Sequence, residues 1–398
     1  MSSKLTEQPV GIMTQDSVPT SASNGSSIRF NSLNPPVHRA STVFFETAAA
    51  FLSRKSQLFD GFSYGLYATP TTRALEERVA RIEGGQRVVL LPSGLATLTH
   101  TMLALLETGD HVLVVDCVYG PLREFCMTTL KRMGISVSFC RADADHLTPL
   151  DARTRMVVLE SPGSYTMEIQ EIATLCQEAH AVGALVMMDN SWGFGNSHMF
   201  ELGVDIVSSA LSKYASGHSD VCMGSVTVGD EELYRKLKTF ASVVGSGVSS
   251  DDAYLVLRGL NTLELRLQEQ SRRGVELTKW LRGRAEVRDV INPADADDSG
   301  HARFRKYFSG GNGLVSLFLR TNNLHAISAM LDGLQHFRIG ASWGGTSSLV
   351  ALLDLSGQRT VESWGAGSYI LRLHMGLEPI ELLYEDLEAG FARLAAHG

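Results

Sequence analysis

The sequence has 398 residues, of which 44% are hydrophobic and 20% are charged, and its net charge is −8. This composition is typical of a globular protein with about two to three domains. The positive charges are scattered among negative ones, which argues against a nucleic acid partner, and no run of about 20 apolar residues predicts a membrane span. The first residues lack the apolar stretch of a secretory signal, so we expect a cytoplasmic protein.

The cysteines give no sign of a disulfide framework or a zinc site. There are five of them, an odd number, and none has C-x-x-C spacing. We therefore expect ordinary buried thiols and no metal centre.

Two segments precede the first regular pattern. Residues 1–28 are rich in Ser, Thr, Gln and Gly, which predicts a disordered tail. Residues 29–62 include FNSLNPPVHRASTVFFE, in which Pro35 and Pro36 exclude a helix interior. We expect an extended N-terminal arm that packs on a partner subunit.

Helical and strand patterns then alternate through residues 63–261. RALEERVARIEGG has apolar residues at helical spacing, and RVVLLPSG, HVLVVD, RMVVLESPG, ALVMMDN and DIVSSAL are short apolar runs that end in polar or glycine residues. This alternation predicts an α/β fold in which a mostly parallel sheet carries its chemistry at the carboxyl ends of the strands. DDAYLVLRGLNTLELRLQEQSRRGVELTKWL predicts one long helix or two. Residues 262–398 mix strands such as NGLVSLFLR and YILRLHMG with helices, which predicts a smaller α+β domain.

Four strand ends carry residues suited to one kind of chemistry. Lys213 lies in SSALSKYASGHSD, and a desolvated lysine there could act as a neutral amine nucleophile, although a solvated loop lysine is the commoner case. Asp189 ends ALVMMDN and suits a protonated ring nitrogen, or else caps a helix. Tyr119 suits stacking on a flat ring, or ordinary packing. PSGLAT places free backbone N–H groups at a helix start, where a phosphate would fit, although such a strand–turn–helix junction is also common without a ligand.

Long, ordered segments of the chain resemble the Cys/Met-metabolism family of fold type I pyridoxal phosphate enzymes. The segments are NPPVHRASTVFF, YGLYATPTTRALEERVARIEGG, LPSGLAT, GDHVLVVDCVYGP, ESPGSYTMEI, MDNSWGFG, SKYASGHSDVCMGSV, DDAYLVLRGLNTLELRL, SWGG and LRLHMGLE. SPGSYTME, DNSWG and SWGG are most similar to the cystathionine β-lyase branch. The resemblance implies a large domain over 63–261, a small domain over 262–398 and pyridoxal 5'-phosphate as the cofactor.

The resemblance also implies roles for individual residues. Lys213 would form the Schiff base with the cofactor and then carry the α-proton, Asp189 would hold the ring nitrogen, and Tyr119 would stack on the ring. The phosphate would be bound by a set of residues from two subunits. These are Ser93, Gly94, Leu95, Ser212 and, from the adjacent subunit, Tyr64.

For the substrate, the resemblance implies that Arg372 grips the α-carboxylate, with help from the backbone near Ser342 and Trp343. Lys213, Tyr119 and Tyr64 are thus the catalytic candidates. A site shared between two chains requires at least a dimer, and the family resemblance implies a homotetramer. We expect elimination from the β-carbon of cystathionine or a related amino acid, giving a thiol, pyruvate and ammonia.

Some positions depart from the family pattern. Leu66 stands where an arginine usually contacts the neighbouring subunit's phosphate, Ala341 where β-lyases tend to have tyrosine, and Ser347 where a glutamate is frequent. These changes leave open a γ-elimination or γ-replacement on another amino acid. A non-catalytic binding protein on the same fold is the third alternative.

Overall fold

The structure is a computed structural model and describes residues 32–398, so the predicted tail of 1–28 lies outside the described residues. The described part of the arm contains the short helix α1 (Ala48–Leu52), a 3₁₀ turn and an isolated bridge between Thr42 and Tyr64. Five large apolar side chains of the described part of the arm are exposed: Leu33, Phe44, Phe51, Leu52 and Phe62.

A seven-stranded sheet forms the centre of the larger part of the chain. Its strands are β1 (Arg87–Leu91), β2 (His111–Val115), β3 (Ser136–Cys140), β4 (Thr154–Glu160), β5 (Leu185–Asp189), β6 (Ile206–Ser209) and β7 (Gly224–Val228). The strand order is β1-β7-β6-β5-β4-β2-β3, and every neighbouring pair is parallel except β1 with β7 and β6 with β7. The predicted α/β class with a mostly parallel sheet is therefore confirmed.

Helices cover this sheet. They are α2 (Pro70–Glu83), α3 (Gly94–Leu105), α4 (Gly120–Phe125), α5 (Ile172–Ala181), α6 (Glu231–Val243) and α7 (Ser250–Leu260). β2 is buried along its whole length, as expected of a strand with helices on both faces. The cysteines on this part of the chain are free thiols, and four of the five are buried; the expectation of buried thiols is wrong for Cys222, which is exposed.

A second, five-stranded sheet lies in the smaller part of the chain. Its elements are α8 (Leu263–Arg282), β8 (Val287–Ile291), α9 (His301–Tyr307), β9 (Leu314–Leu319), α10 (Leu324–Asp332), β10 (Arg338–Ile339), β11 (Leu349–Asp354), β12 (Tyr369–His374) and α11 (Ile380–His397). This sheet has its own apolar core, to which α8, α10 and α11 contribute. The expected smaller α+β unit is therefore present.

The predicted long helical segment is two helices, because the chain turns at Asn261 and Thr262 between α7 and α8. The predicted boundary between residues 261 and 262 falls at this turn, and it stays a prediction. In the part of the chain that the structure describes, no helix is both long and apolar enough to span a bilayer.

One loop of the small domain crosses onto the large domain. We call residues 355–368 the strap. Its backbone N–H groups at Thr360 and Val361 donate to the carboxylate of Asp116, at 2.7 Å each. Asp116 is buried after β2 and also accepts from Arg123 Nη1 at 2.8 Å. The carboxylate thus joins the strap to the large domain.

We expect Asp116→Ala to lower the free energy of unfolding by about 3 kcal/mol, because it leaves a buried arginine and two backbone N–H groups without their acceptor. Urea unfolding measures the change. The matched control is Glu362→Ala, which removes an exposed ion pair between Arg141 and the same strap and should cost less than about 1 kcal/mol. Equal losses in the two variants would contradict a special role for Asp116.

Candidate functional site

The carboxyl ends of three adjacent strands form the floor of the site. Asp189 is the last residue of β5, and it lies opposite Glu160 of β4 and Ser208 of β6. Lys213 follows β6 in the loop that leads to β7. The parallel sheet therefore gathers these side chains at one edge, as the strand-end argument predicted.

The amine of Lys213 loses its proton more easily than that of an exposed lysine. Its Nζ lies 2.7 Å from Ser342 Oγ and 5.4 Å from the centre of the Trp343 ring. Burial, together with the nearby positive charge of Arg372, lowers the pKa of Lys213 to about 8, against a partial opposing effect of Asp189. A neutral amine can act as nucleophile and base near neutral pH.

Asp189 is a buried carboxylate without an ion pair. It is 9% exposed, it forms no salt bridge within residues 32–398, and Oδ1 accepts from the backbone N–H of Ser191 at 3.0 Å. Burial raises the pKa of Asp189, while the bonds from Ser191 and the charge of Lys213 oppose the rise. Ser191 Oγ accepts in turn from Ala210 N at 2.8 Å, which ties the ends of β5 and β6 together.

Two further acids lie near Asp189. Burial and the charge of Asp189 raise the pKa of Glu160 well above its usual range. Burial also raises the pKa of Glu83 to about 7, and its carboxylate accepts from the hydroxyls of Ser209 and Thr227. Several carboxylates in one low-dielectric region cannot all ionise. Burial therefore favours the protonated form of Glu160 and Glu83, while the bonds from Ser191 and the charge of Lys213 favour the ionised form of Asp189.

The start of α3 provides the candidate phosphate site. Ser93 is its N-cap and accepts from Ala96 N at 3.1 Å, so the first-turn N–H groups of Gly94 and Leu95 have no acceptor within the helix. A Cβ on Gly94 would lie 2.6 Å from the Cβ of Ala210, so only glycine allows this approach to the end of β6. The Ser212 hydroxyl is occupied by the backbone of Met223, to which it both donates and accepts.

Tyr119 begins α4 beside this site. Its backbone N–H donates to Glu160 Oε2 at 2.6 Å, while the residue as a whole is 41% exposed. Partial burial of the side chain, together with the nearby Tyr165 phenol, raises the pKa of Tyr119. The ring is thus held by its backbone and keeps a free face.

Arg372 of β12 brings the second sheet to the site. It is 7% exposed, it forms no salt bridge within the described chain, and Nη2 donates to the carbonyl oxygen of Ala341 at 2.7 Å. Its guanidinium carbon lies 4.4 Å from the centre of the Tyr165 ring. Burial lowers the pKa of Arg372. A guanidinium so poorly paired suits a carboxylate ligand.

The SWGG loop passes directly over Lys213. Gly344 has φ of +88°, and a Cβ there would lie 2.7 Å from the backbone N of Tyr214. Its N–H donates to Nε2 of His374 at 3.1 Å, and burial lowers the pKa of His374 to about 4. A neutral histidine and an obligatory glycine therefore fix Ser342 and Trp343 against the lysine.

Tyr64 lies apart from these residues. It is 42% exposed, pairs with Thr42 and has its ring 6.0 Å from that of Tyr67. No hydrogen bond in the described chain joins it to Lys213 or Ser93. Leu66 and Ser347 are also exposed. The structure of one chain thus brings together the other predicted site residues but not Tyr64.

Sequence reasoning missed several residues of this site. Glu160, Ser191 and Tyr165 lie in the ESPGSYTME and MDNSWG segments, but their spacing gives no sign of their contacts. Two of them could have been identified from their positions in the chain, since Glu160 is the last residue of a strand and Ser191 lies just past the end of another. The strap has no sequence signal, because it reaches the site across more than 200 residues.

The arrangement fits pyridoxal phosphate. Asp189 offers an unpaired buried anion to a protonated ring nitrogen, Lys213 a near-neutral amine to an aldehyde, and α3 its amino end to a phosphate. Tyr119 has a free ring face beside them. Within residues 32–398, no group of three or more His, Cys, Asp or Glu side chains is placed to hold a metal ion.

We expect acylation of Lys213 in the cofactor-free protein to reach half its maximal rate near pH 8, because only the neutral amine reacts and the lysine pKa is lowered to about 8. Mass spectrometry of the labelled peptides measures the rate across pH. Lys236 is the internal control, since its bond to Glu232 raises its pKa. A Lys213 midpoint close to that of Lys236 would contradict the desolvation of the site.

Comparison with known proteins identifies the family. The model of the family described as Cys/Met metabolism PLP-dependent enzyme matches residues 18–392. A putative cystathionine beta-lyase of Rhizobium johnstonii is 40% identical and covers 92% of each chain. An L-alanine/L-glutamate racemase of Wolbachia pipientis is 34% identical over 91% of this chain and 93% of its own.

The fold agrees with the sequence matches. A crystal structure of cystathionine gamma synthase from Xanthomonas oryzae in complex with cystathionine superimposes with a TM-score of 0.81 at 28% identity, covering 92% of this chain and 94% of the other. The resemblance found in the sequence, including its cofactor, is thereby confirmed. The chain belongs to the Cys/Met metabolism family of pyridoxal phosphate-dependent enzymes.

Proposed function

We propose that the protein is a carbon–sulfur lyase that catalyses β-elimination from cystathionine or a related amino acid. The observation that carries the proposal is a pair of buried, opposite charges without ion-pair partners, Asp189 and Arg372, both within electrostatic reach of Lys213. An amino acid supplies the carboxylate that Arg372 lacks. The Rhizobium relative, named a putative cystathionine beta-lyase, supports the same reaction.

The bound substrate is oriented by the second sheet. Arg372 pairs with the α-carboxylate through its free N–H edge, with the backbone near Ser342 and Trp343 closing the other side. Tyr119 stacks on the cofactor ring, and Asp189 accepts the N–H of the ring nitrogen. The phosphate would be bound by Ser93, Gly94 and Leu95, by Ser212 once its hydroxyl gives up the bond to Met223 O, and by Tyr64 of the adjacent subunit.

Lys213 carries the proton. Pyridoxal phosphate, when bound, supplies an electron-accepting ring conjugated to the substrate nitrogen. With the cofactor bound, Nζ of Lys213 in its neutral form would take the proton from the substrate Cα. The electrons of that C–H bond would form a double bond between Cα and Cβ, while the bond from Cβ to sulfur breaks and leaves its electron pair on sulfur. The same proton is available to the leaving sulfur, which departs as a thiol. The enamine that is released hydrolyses to pyruvate and ammonia.

We propose an assembly of at least two chains, and a homotetramer as the family resemblance implies. Exposed apolar side chains of the arm, Leu33 at 92% and Phe44 at 87%, support an interface there. The exposed position of Tyr64 supports its use by a neighbouring subunit. We also propose a cytoplasmic location, without a nucleic acid or membrane partner. The large domain would span residues 63–261 and the small domain residues 262–398.

A second candidate reaction is racemisation at Cα. The Wolbachia relative named an L-alanine/L-glutamate racemase favours it, since removal of the α-proton begins both reactions. Loss of optical purity of L-alanine or L-glutamate, without keto acid formation, would identify it.

We expect the purified enzyme to form pyruvate and a thiol from cystathionine, and Lys213→Ala to lower kcat by about 10³-fold or more, because the proton carrier is lost. A lactate dehydrogenase assay measures pyruvate. Lys236→Ala is the matched control, because it removes an exposed lysine paired with Glu232. Formation of 2-oxobutyrate instead would establish γ-elimination, and cofactor binding with no turnover of cystathionine or cystine would contradict the lyase proposal.

We expect Leu66→Arg to tighten cofactor binding by about tenfold, because it would add a charge-assisted hydrogen bond to the phosphate in the neighbouring subunit's site. Titration of the cofactor-free protein with pyridoxal phosphate measures the dissociation constant. Leu66→Gln is the control of similar length without charge. No gain in Leu66→Arg would show that residue 66 does not face the phosphate.

A further inference from the structure

Tyr165 occupies an unusual backbone conformation between β4 and α5. Its φ is +64°, a region that bulky side chains rarely adopt. Bonds on both sides hold the turn: Ser164 N donates to Cys117 O at 2.9 Å, and Met167 N donates to Gly163 O at 3.0 Å. Met167 in the same turn also has a positive φ, of 54°, so the turn as a whole is held in a conformation that such side chains rarely adopt.

The small domain also secures this turn. Arg359, in the strap, donates to Thr166 Oγ1 and to both oxygens of Glu168, at 3.2 and 3.3 Å from the latter. Arg359 is buried. The residues just after Tyr165 are thus fixed from the same domain that carries Arg372.

The Tyr165 ring lies between an apolar cluster and the guanidinium of Arg372. It packs against the cluster formed by Phe318, Leu355 and Ile370, and Arg372 lies over the ring at 4.4 Å. A ring face attracts a guanidinium and keeps it parallel or nearly so, while the N–H groups stay free at its edge. The other fixed contact of Arg372 is its single bond to Ala341 O.

We infer that Tyr165 is a positioning residue, which holds the guanidinium plane of Arg372 so that its N–H edge meets the substrate α-carboxylate. This inference rests on the proposed function, because it assumes an amino acid substrate. One hydrogen bond to Ala341 leaves the guanidinium free to rotate about that contact. The ring of Tyr165 removes this freedom before the substrate binds, so the Arg372 side chain loses less conformational entropy when the substrate binds.

The role needs the ring and not the hydroxyl. Tyr165→Phe should therefore bind substrate like the wild type. Tyr165→Asn removes the ring while keeping a residue type that tolerates positive φ, so that the turn is preserved. Tyr165→Leu is a second variant without the ring, in case the asparagine disturbs the apolar cluster.

The test uses the holoenzyme and ligands without a leaving group, and follows the absorbance of the bound cofactor. We expect Tyr165→Asn and Tyr165→Leu to weaken L-alanine binding by about 5- to 30-fold, from the strength of a desolvated cation–π contact. L-alaninamide, in which a neutral amide replaces the carboxylate, should bind each variant within about twofold of its wild-type affinity. Tyr165→Phe should match the wild type for both ligands.

The inference would be overturned if the variants without the ring bound both ligands more weakly by the same factor, or if they bound L-alanine as tightly as the wild type does. Weakening in Tyr165→Phe would also overturn it, because the hydroxyl would then be the active group. Binding constants of L-alanine do not depend on elimination. If they behave as expected but cystathionine yields no pyruvate, the lyase proposal fails while the role of Tyr165 stands.

Discussion

The site depends on two buried charges that the protein itself leaves unpaired. Asp189 and Arg372 are each less than a tenth exposed, and neither has an ion-pair partner within residues 32–398. Burying an unpaired charge is costly in free energy, so these two residues destabilise the folded chain until ligands of opposite charge bind. The charge of Asp189 raises the pKa of Lys213 and that of Arg372 lowers it. Burial is the larger effect, and the pKa falls to about 8.

The two charges belong to different sheets, so their separation depends on how the two sheets are joined. Asp189 ends β5 of the seven-stranded sheet, whereas Arg372 lies in β12 of the five-stranded sheet. Two features join them close to the site: the strap on Asp116, and the SWGG loop, which approaches the lysine backbone at Gly344. Both use backbone groups and buried partners, which permit little movement. The geometry of the site is thus a property of the whole chain.

Local patterns in the sequence predicted the framework of the site. Short apolar runs located the parallel strands, and the strand-end rule placed Lys213 and Asp189 at one edge. Strand direction was not predictable in this way, since β7 is antiparallel to both neighbours although it is as completely buried as β2. The packing of Tyr165 on Arg372 and the bonds to Asp116 join residues about 200 or more positions apart. Such contacts depend on the packing of the two sheets, which no local pattern contains.

The structure also changes the meaning of one departure from the family pattern. Ala341 replaces an expected tyrosine, yet the contact it makes to Arg372 is through its backbone carbonyl oxygen. That bond does not depend on the side chain, so the replacement leaves this contact of the Arg372 guanidinium in place. The proposed binding of the α-carboxylate therefore depends on the Arg372 side chain and on the Tyr165 ring beside it, and not on the side chain at position 341.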